Sequence, residues 1–594
     1  MKKRCLAIVS LFVILTAITT YPLVFKLNTH IPGFSDTFEP YHMVWEGWKM
    51  KYSHDNNLGL DDHKFIAYPF GPPKIGSVNF FIGIFIIKWL SIFTNPVFTY
   101  NFYILLSFIL SGFFTYLLVK HLTKDTQAAI LSGIIFAFCP YHFARSWQHF
   151  GLAQIQWMPL YLLALFTLKE KKSFRNVLFV SLSFFLVALD YTYTYLMLIV
   201  TLVFIVFSFL DKNDKEKKRL FLFFSLAAIF IFFATLPATY VVYKNLIFGP
   251  PKEAMKLYYR PFSDLFIQSA KPLSYILPST EHPIFGDFTK RFVGSSLWGV
   301  SLTGHQLYLG SINVFLAFFA FRTWRKKRKQ KIQHDNYFYI SFFIALTIVA
   351  WFLSQPPWWS IASSRVFMPS FFMYKLLPMF REYSRFGVVV VLSVSVLAGY
   401  GLKCYRQRFK TKNRRMILSY LLCGLVLFEF WNWPPYKVID VSKAPQAYYW
   451  LKEQPGEFAI AEYPLDIKEP CIMYEFHQIF HNRPIINATG PNTYPNKVAE
   501  TIIRLSDQKT ASALRWMGVK YVVVHRDGYL KTGLVEEIEE LGKIFKNKGL
   551  KFVRTFLPQE CSSSMMCTQK SGQIDIYEVV ARPIEPKLDH LNKE

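Results

Sequence analysis

The sequence has few cysteines and none of the spacings that usually hold a metal. Its seven cysteines are scattered and no C-x-x-C pair occurs, which argues against a zinc site built on thiolates. Cys561 and Cys567 lie close together in ECSSSMMC. They are candidates for a small disulfide loop if this region faces an oxidising compartment, and two unrelated thiols are the equal alternative.

Acidic residues are also few: 39 Asp and Glu face 67 Lys and Arg, which gives a net charge of +28. Such an excess often indicates nucleic acid, but no zinc-type or RNA-binding signature accompanies it. The basic residues are instead bunched between apolar segments, as expected of cytoplasmic loops in a membrane protein. Nucleic acid is therefore not an expected partner. The clusters are Lys120–Lys124, Lys169–Arg175, Asp211–Arg219, Arg322–Lys331 and Lys403–Arg415.

A cleavage site is missing from the N-terminus. Residues 1–25 have the basic start and apolar run of a signal peptide, but no convincing small-x-small motif follows. We interpret this segment as an uncleaved first span with its basic end in the cytoplasm.

Apolar residues are abundant: 52% of the chain is hydrophobic and 61 residues are phenylalanine. The predicted fold class is mainly α. The chain is expected to be a polytopic helical protein of the plasma membrane with about eleven transmembrane helices. The spans are expected near residues 5–25, 97–119, 127–140, 152–168, 176–190, 194–210, 220–242, 307–323, 337–354, 386–403 and 416–433.

One further apolar segment, Val78–Phe93, decides the topology. It is short and carries Lys88. If it spanned the bilayer, the later basic clusters would fall outside, whereas an interfacial helix keeps every cluster inside. We therefore expect large outer loops at residues 26–96, 243–306 and 355–385, and a membrane domain of residues 1–433.

The composition changes at about Pro434. Strand-like runs appear at residues 457–464, 520–525 and 573–580, with helical patterns at 496–518 and 533–549. Residues 434–594 are expected to form a soluble extracytoplasmic α/β domain.

Asp36 lies about ten residues after the first span, in His30-Ile31-Pro32-Gly33-Phe34-Ser35-Asp36. A carboxylate at the rim of a membrane pocket can act as a general base on a sugar hydroxyl or hold a divalent ion. The alternative is that Asp36 caps a short interfacial helix that Trp45 and Trp48 anchor among the headgroups.

The H-x-P, G-x-x-D and W-x-x-W order of this segment resembles the start of the GT-C superfamily of membrane glycosyltransferases, which use polyprenyl-phosphate-linked sugars. The resemblance continues in further segments of the membrane region. These are YPFGPP (Tyr68–Pro73), Thr99–Thr123, Ala128–Phe150, Gln156–Leu163 and MFREYSRFG (Met379–Gly387).

The resemblance implies that Asp36, in the first outer loop, is the catalytic carboxylate. Some members of the superfamily carry a paired acidic metal motif, and this chain has no D-x-D beside Asp36. If Mg²⁺ or Mn²⁺ takes part, Glu39 and His42 are the nearby candidate ligands.

Such a reaction also needs groups that hold the lipid phosphate, and the fixed fork of arginine suits this task. The candidates in outer segments are Arg145, His149, Arg260, Arg381 and Arg385. Each has a structural alternative, such as contact with lipid headgroups or solvent. Asp264 is the second catalytic candidate after Asp36.

The leading hypothesis is therefore a glycosyltransferase that moves a sugar, with inversion, from a polyprenyl-phosphate carrier to a glycan, lipid or protein acceptor on the outer face. A transporter or flippase of lipid-linked glycans is the first alternative, although charges within the spans are scarce. A non-catalytic membrane scaffold that displays residues 434–594 is the second.

Overall fold

The computed structural model divides into two compact units, which are described separately. The membrane unit comprises Met1–Phe25, Val78–Gly83 and Phe102–Tyr436, and the α/β unit comprises Lys26–Ser77, Ile84–Asn101 and Lys437–Glu594. The structure describes residues 2–33, 39–59, 64–71, 82–189, 193–211, 216–248, 261–299, 304–329, 337–361, 364–376, 380–432, 436–465, 472–487, 494–531, 535–558 and 572–586.

Every span expected from the sequence overlaps a helix. Within the part of the chain that the structure describes, three segments are long and apolar enough to cross a membrane: Pro96–Thr123, Thr126–Gln148 and Tyr383–Arg406. The count of eleven crossings stays a prediction. The long helices are Lys2–Thr19, Pro96–Thr123, Thr126–Ala137, Pro140–Gln148, Trp157–Glu170, Phe174–Leu189, Thr194–Leu210, Lys217–Phe248, Ser311–Lys329, Tyr337–Ser354, Gly387–Arg406 and Lys412–Glu429.

The helix Gly387–Arg406 lies at the centre of the membrane unit. Its residues are buried without interruption from Gly387 to Leu402, as expected of a helix that is apolar on all sides. A Cβ at Gly401 would come within 1.9 Å of the Leu316 carbonyl oxygen. Only glycine therefore permits the close approach of this helix to Ser311–Lys329.

Shorter elements fill the predicted outer loops of the membrane unit. Strands β2 (Trp358–Ile361) and β3 (Ser364–Phe367) form an antiparallel hairpin. The other elements are the helices Asp264–Ile267, Gly286–Lys290 and Pro369–Leu376 and the 3-10 turns Pro272–Tyr275 and Tyr383–Phe386.

The α/β unit contains a four-stranded sheet in the order β5-β6-β8-β7. Strands β5 and β6 are parallel, and the other pairs are antiparallel. Alternate residues of β6 enter different cores, Val522 and Val524 on one face and Tyr521 and Val523 on the other, so both faces of the sheet are covered. The strands are β5 (Ala459–Tyr463), β6 (Val519–His525), β7 (Leu550–Phe556) and β8 (Ile574–Val579).

The remaining elements of this unit surround the sheet. A separate two-stranded pair joins β1 (His30–Pro32) to β4 (Val438–Asp440). The helices are Glu39–Asp55, Gln446–Glu453, Ile472–His481, Tyr494–Thr501, Gln508–Trp516, Arg526–Lys531 and Val535–Lys543, with a 3-10 turn at Ile544–Lys546.

The sequence predicted much of this unit. The strands expected at 457–464, 520–525 and 573–580 are confirmed as β5, β6 and β8. The helical pattern expected over 496–518 is confirmed as two helices, Tyr494–Thr501 and Gln508–Trp516. Asp507 separates them: its carboxylate accepts from the Lys509 N–H and caps the second helix, a local competition with helix continuation.

The segment that carries Lys88 forms the helix Ile82–Phe93, which has 12 residues. At about 1.5 Å per residue it is too short for a bilayer core of about 30 Å. Within the α/β unit, Lys88 Nζ lies 2.7 Å from Glu46 Oε2, so this lysine is neutralised by a carboxylate. The location of the helix at the membrane interface stays a prediction.

Candidate active site

The helix Pro140–Gln148 of the membrane unit supplies the most deeply buried candidate residue. Pro140 starts the helix at a position where its missing N–H costs nothing. Tyr141 and Arg145, four residues apart, share one face, and the Arg145 guanidinium lies 5.2 Å from the Tyr141 ring centroid. Arg145 is only 3% exposed. Its Nε has no hydrogen-bond partner among the described residues.

A pair of tyrosine hydroxyls lies beside this helix. Tyr193 donates to the Leu152 carbonyl at 2.6 Å, and the Tyr141 and Tyr193 hydroxyl oxygens are 2.9 Å apart. Because each hydroxyl has one proton, Tyr141 must donate to Tyr193. Both tyrosines are thereby fixed in orientation.

The segment from Arg381 to Arg385 carries alternating charges. Arg385 Nε donates to Glu382 Oε2 at 2.7 Å, and Arg381 Nη1 donates to Asp264 Oδ2 at 2.9 Å. Arg381 Nε also lies 4.0 Å from Glu382 Oε1. The sequence Arg-Glu-x-x-Arg, whose last three residues lie in the 3-10 turn Tyr383–Phe386, thus folds into a short chain of ion pairs.

Electrostatics join this chain to the helix Pro140–Gln148. Burial alone would raise the pKa of Glu382, but the charges of Arg385, Arg145 and His149 outweigh it and lower that pKa. The three guanidinium groups of Arg145, Arg381 and Arg385 outnumber the two carboxylates of Glu382 and Asp264. We call Arg145, Glu382 and Arg385, with their surrounding tyrosines, the arginine cluster; it has a surplus of positive charge.

A second donor of the arginine cluster, the Tyr195 hydroxyl, also lacks a hydrogen-bond partner among the described residues. Tyr195, within electrostatic reach of Arg385, packs its ring against Phe380 at a centroid distance of 4.1 Å. Its buried hydroxyl oxygen has no hydrogen-bond partner in the described part of the chain. Leaving a buried polar group unpaired costs about 1–3 kcal/mol. Two unpaired donors next to surplus cations form an arrangement that can receive an anion.

The structure therefore brings three predicted residues together, since Arg145, His149 and Arg385 all act on Glu382. Two others, Arg381 and Asp264, pair with each other. Asp36 and Arg260 lie outside the described residues. Whether these residues are catalytic or bind the donor stays a prediction.

Sequence reasoning did not identify Glu382 or the tyrosines as site residues. The segment DYTYTY (Asp190–Tyr195) has tyrosines at alternate positions directly before an apolar helix, and this was the available signal. Asp190 itself is outside the described residues.

The two metal candidates, Glu39 and His42, lie on the helix Glu39–Asp55 of the α/β unit. His42 Nδ1 donates to Glu475 Oε2 at 3.0 Å. Burial would lower the pKa of His42, but Glu475 and Glu46 outweigh it and raise that pKa, which favours an ion pair over a metal ligand. Among the described residues no three His, Cys, Asp or Glu side chains gather as a metal site. Glu39 and His42 therefore do not fit a divalent ion.

Comparison with protein families gives one match, to a family described as a domain of unknown function, DUF6311, over residues 83–428. The match covers more than half of the sequence, and the chain belongs to this family. No match was found among curated proteins.

Comparison with solved structures shows a fold similar to that of membrane glycosyltransferases. Arabinofuranosyltransferase AftD from Mycobacteria has a TM-score of 0.53 and 14% identity, over 98% of this chain and 42% of AftD. The oligosaccharyltransferase AglB from Archaeoglobus fulgidus, solved with an inhibitory peptide and a dolichol-phosphate, has a TM-score of 0.51 and 14% identity, over 93% of this chain and 73% of AglB. This chain thus spans less than half the length of AftD. At such identity the likeness concerns the fold.

Proposed function

We propose that this member of the DUF6311 family is an integral membrane glycosyltransferase that takes a sugar from a polyprenyl-phosphate carrier. The observation that carries the proposal is the arginine cluster, in which the buried Arg145 Nε–H and Tyr195 hydroxyl have no partner among the described residues and lie beside surplus positive charge. A phosphate has only acceptor oxygens near neutral pH and matches these donors. The fold shared with AglB, which was solved with a dolichol-phosphate, supports the same choice of ligand.

The chemistry assigns the cluster to the leaving group. The acceptor hydroxyl loses its proton to a base, its oxygen forms a bond to the anomeric carbon, and the bond from that carbon to the phosphate oxygen breaks. The electron pair goes to the polyprenyl phosphate, whose negative charge grows as it leaves. Fixed cationic donors in a site without water stabilise that charge most strongly in the transition state. Arg145 and Arg385 are the residues proposed for this role.

Asp36 is the proposed general base. Its role rests on its place in the first outer loop, in the G-x-x-D motif, and attack from the side opposite the phosphate gives inversion. Asp264 is held 2.9 Å from Arg381, which suits orienting that arginine better than accepting a proton. His149 and Arg260 complete the proposed set of donor contacts.

The acceptor is proposed to be a glycan, lipid or protein on the extracytoplasmic face of the plasma membrane. This orientation follows from the basic clusters, which the positive-inside rule assigns to the cytoplasm together with the N-terminus. The predicted outer loops and residues 434–594 then share the opposite face.

The direct test measures binding of lipid phosphate to the purified full-length protein. Native mass spectrometry with undecaprenyl phosphate and dolichyl phosphate as probes compares the wild type with Arg145→Gln. Arg365→Gln is the matched control, because Arg365 is an exposed arginine of the same unit that stacks on Trp358 at 4.8 Å. We expect Arg145→Gln to weaken retention at least tenfold and Arg365→Gln to leave it unchanged. Equal retention by all three proteins would refute the phosphate role.

Transfer itself is tested in the native membrane with Asp36→Asn. At equal protein abundance, mass spectrometry of envelope glycans should show the loss of one sugar. A lipid-linked sugar that accumulates on the cytoplasmic face would instead support a flippase. A glycan profile altered only by deletion of the whole chain would support a scaffold.

A further inference from the structure

An open groove lies on the α/β unit, between the helix Gln446–Glu453 and the last residues of β7. Its volume is about 510 Å³, within the range of about 300–1,000 Å³ typical of small-molecule sites. Three aromatic and three polar side chains dominate its lining: Tyr449, Trp450, Phe556, Gln446, Glu453 and Arg554.

The aromatic residues form two inclined walls. The rings of Trp450 and Phe556 are 6.2 Å apart with an interplanar angle of 56°, and both side chains are partly exposed. The Trp450 ring packs against the Tyr521 ring at a centroid distance of 5.3 Å. The Arg554 guanidinium carbon lies 4.9 Å from the centroid of the Phe556 ring. Large side chains fixed in this way lose little entropy when a ligand binds.

The polar residues determine which ligand fits. Gln446, Glu453 and Arg554 are exposed at the groove. Together they offer amide, carboxylate and guanidinium groups, which include both donors and acceptors. The one negative and one positive charge cancel, so the groove favours neither an anion nor a cation. An apolar peptide would leave these groups without partners.

We propose that this groove binds a neutral saccharide. The hydroxyls of a sugar both donate and accept, as the three polar side chains require. Its C–H face carries weak positive charge and stacks on the negative face of an aromatic ring, here Trp450. Binding at this groove involves no bond making or breaking, and it stands independently of the transfer proposed above.

The test uses the full-length protein in detergent and affinity electrophoresis in gels that contain one polysaccharide each. The probes are α-mannan, arabinan and dextran, which are neutral, and polygalacturonate, which is anionic. We expect at least one neutral polymer to retard the wild type, and Trp450→Ala to weaken that interaction at least tenfold. Phe545→Ala is the matched control, since Phe545 is 73% exposed in the same unit and does not line the groove.

Trp450 also packs on Tyr521, so its loss can disturb folding. The double variant Gln446→Ala/Arg554→Ala changes only exposed side chains and should also weaken retardation at least tenfold. Retardation that is equal in the wild type and this double variant, retardation by polygalacturonate alone, or none by any neutral polymer would overturn the proposal. Asp36→Asn should retain saccharide binding while transfer is lost, so the two proposals can fail separately.

Discussion

Two largely buried polar clusters, one in each unit, differ in which of their polar atoms lack a hydrogen-bond partner among the described residues. In the arginine cluster, Arg145 Nε and the Tyr195 hydroxyl have no hydrogen-bond partner among the described residues, and each has a proton to donate. In the α/β unit, Glu462 and His525 form a second cluster, with His525 Nε2 2.6 Å from Glu462 Oε2. There the groups without a partner in the described part of the chain include an acceptor, Glu462 Oε1.

The rest of this histidine cluster consists of stacked rings. Tyr448 donates to Glu462 Oε2 at 3.1 Å, and its ring stacks on His477 at 4.1 Å and on His481 at 5.5 Å. Arg483 N–H donates to His481 Nδ1, so the buried and unpaired Nε2 of neutral His481 is a donor. Because its unpaired groups include both an acceptor, Glu462 Oε1, and a donor, His481 Nε2–H, the histidine cluster has no preference for an anion. Buried charge alone is thus a weak indication of a ligand site. Several buried hydrogen-bond donors that lack a partner among the described residues, as in the arginine cluster, are a strong indication of an anion site.

The largest effect on stability is expected from Arg385→Ala. This change leaves Glu382, whose side chain is 20% exposed, without its closest cation. Breaking a fully buried ion pair on one side costs about 3–5 kcal/mol, and the partial exposure of this pair lowers that figure. The melting temperature of the detergent-purified protein, followed by tryptophan fluorescence, should fall clearly. Glu382→Ala in the same chain should recover part of the loss, because the orphaned charge is removed with it. An additive double variant would show that the pair is not coupled.

The second effect concerns acid and the histidine cluster. Burial, with smaller contributions from His525 and His481, lowers the pKa of His477 well below its usual 6.5. Burial, with a contribution from Arg483, lowers that of His481 to about 3. Since the unfolded chain then binds more protons than the folded one, stability is intact above pH 6.5 and falls as the pH drops from there toward 3. The slope is about 1.4 kcal/mol per pH unit for each histidine.

Melting temperatures between pH 7 and pH 5 measure this effect. The variant His477→Gln/His481→Gln should give a flatter profile, and the arginine cluster variants should keep the slope of the wild type. Parallel profiles for the wild type and the histidine variant would contradict the assignment of the acid sensitivity to these two rings.

The sequence predicted the long apolar helices of the membrane unit, but it did not predict the long-range pairing of its side chains. Apolar runs predicted the helices well, as in 194–210, where the span and the helix Thr194–Leu210 coincide, because hydrophobic length is a local property. Strand β7 was missed: Lys551, Phe552, Val553 and Arg554 are all exposed on this edge strand, so it shows no alternation of buried and exposed residues. The pairing of Arg381 with Asp264 joins residues 117 positions apart, and no local pattern encodes it.

A smaller effect is expected from Tyr448→Phe in the histidine cluster. The change removes one hydrogen bond to the buried Glu462 and leaves His525 in place, so the expected loss is about 1 kcal/mol. Stacking on His477 and His481 survives, since the ring is unchanged. Equilibrium unfolding by denaturant resolves a loss of this size, and Tyr494→Phe, at a tyrosine that is 47% exposed in the same unit, is the control. A loss several times larger would indicate that Glu462 depends on Tyr448 more than on His525.

The smallest effect on stability, and the most informative, is expected from Arg145→Gln. Arg145 Nε makes no hydrogen bond with the described residues and the guanidinium lies on the Tyr141 ring, so the desolvation of this buried charge offsets much of its attraction to Glu382. We expect the free energy of unfolding to change by less than about 1 kcal/mol, while retention of polyprenyl phosphate falls at least tenfold. Arg145→Lys should not restore retention, because an ammonium lacks the planar fork that pairs with phosphate. A large loss of stability in Arg145→Gln would instead show that Arg145 stabilises the fold through Glu382 as Arg385 does, and the difference between the two clusters would disappear.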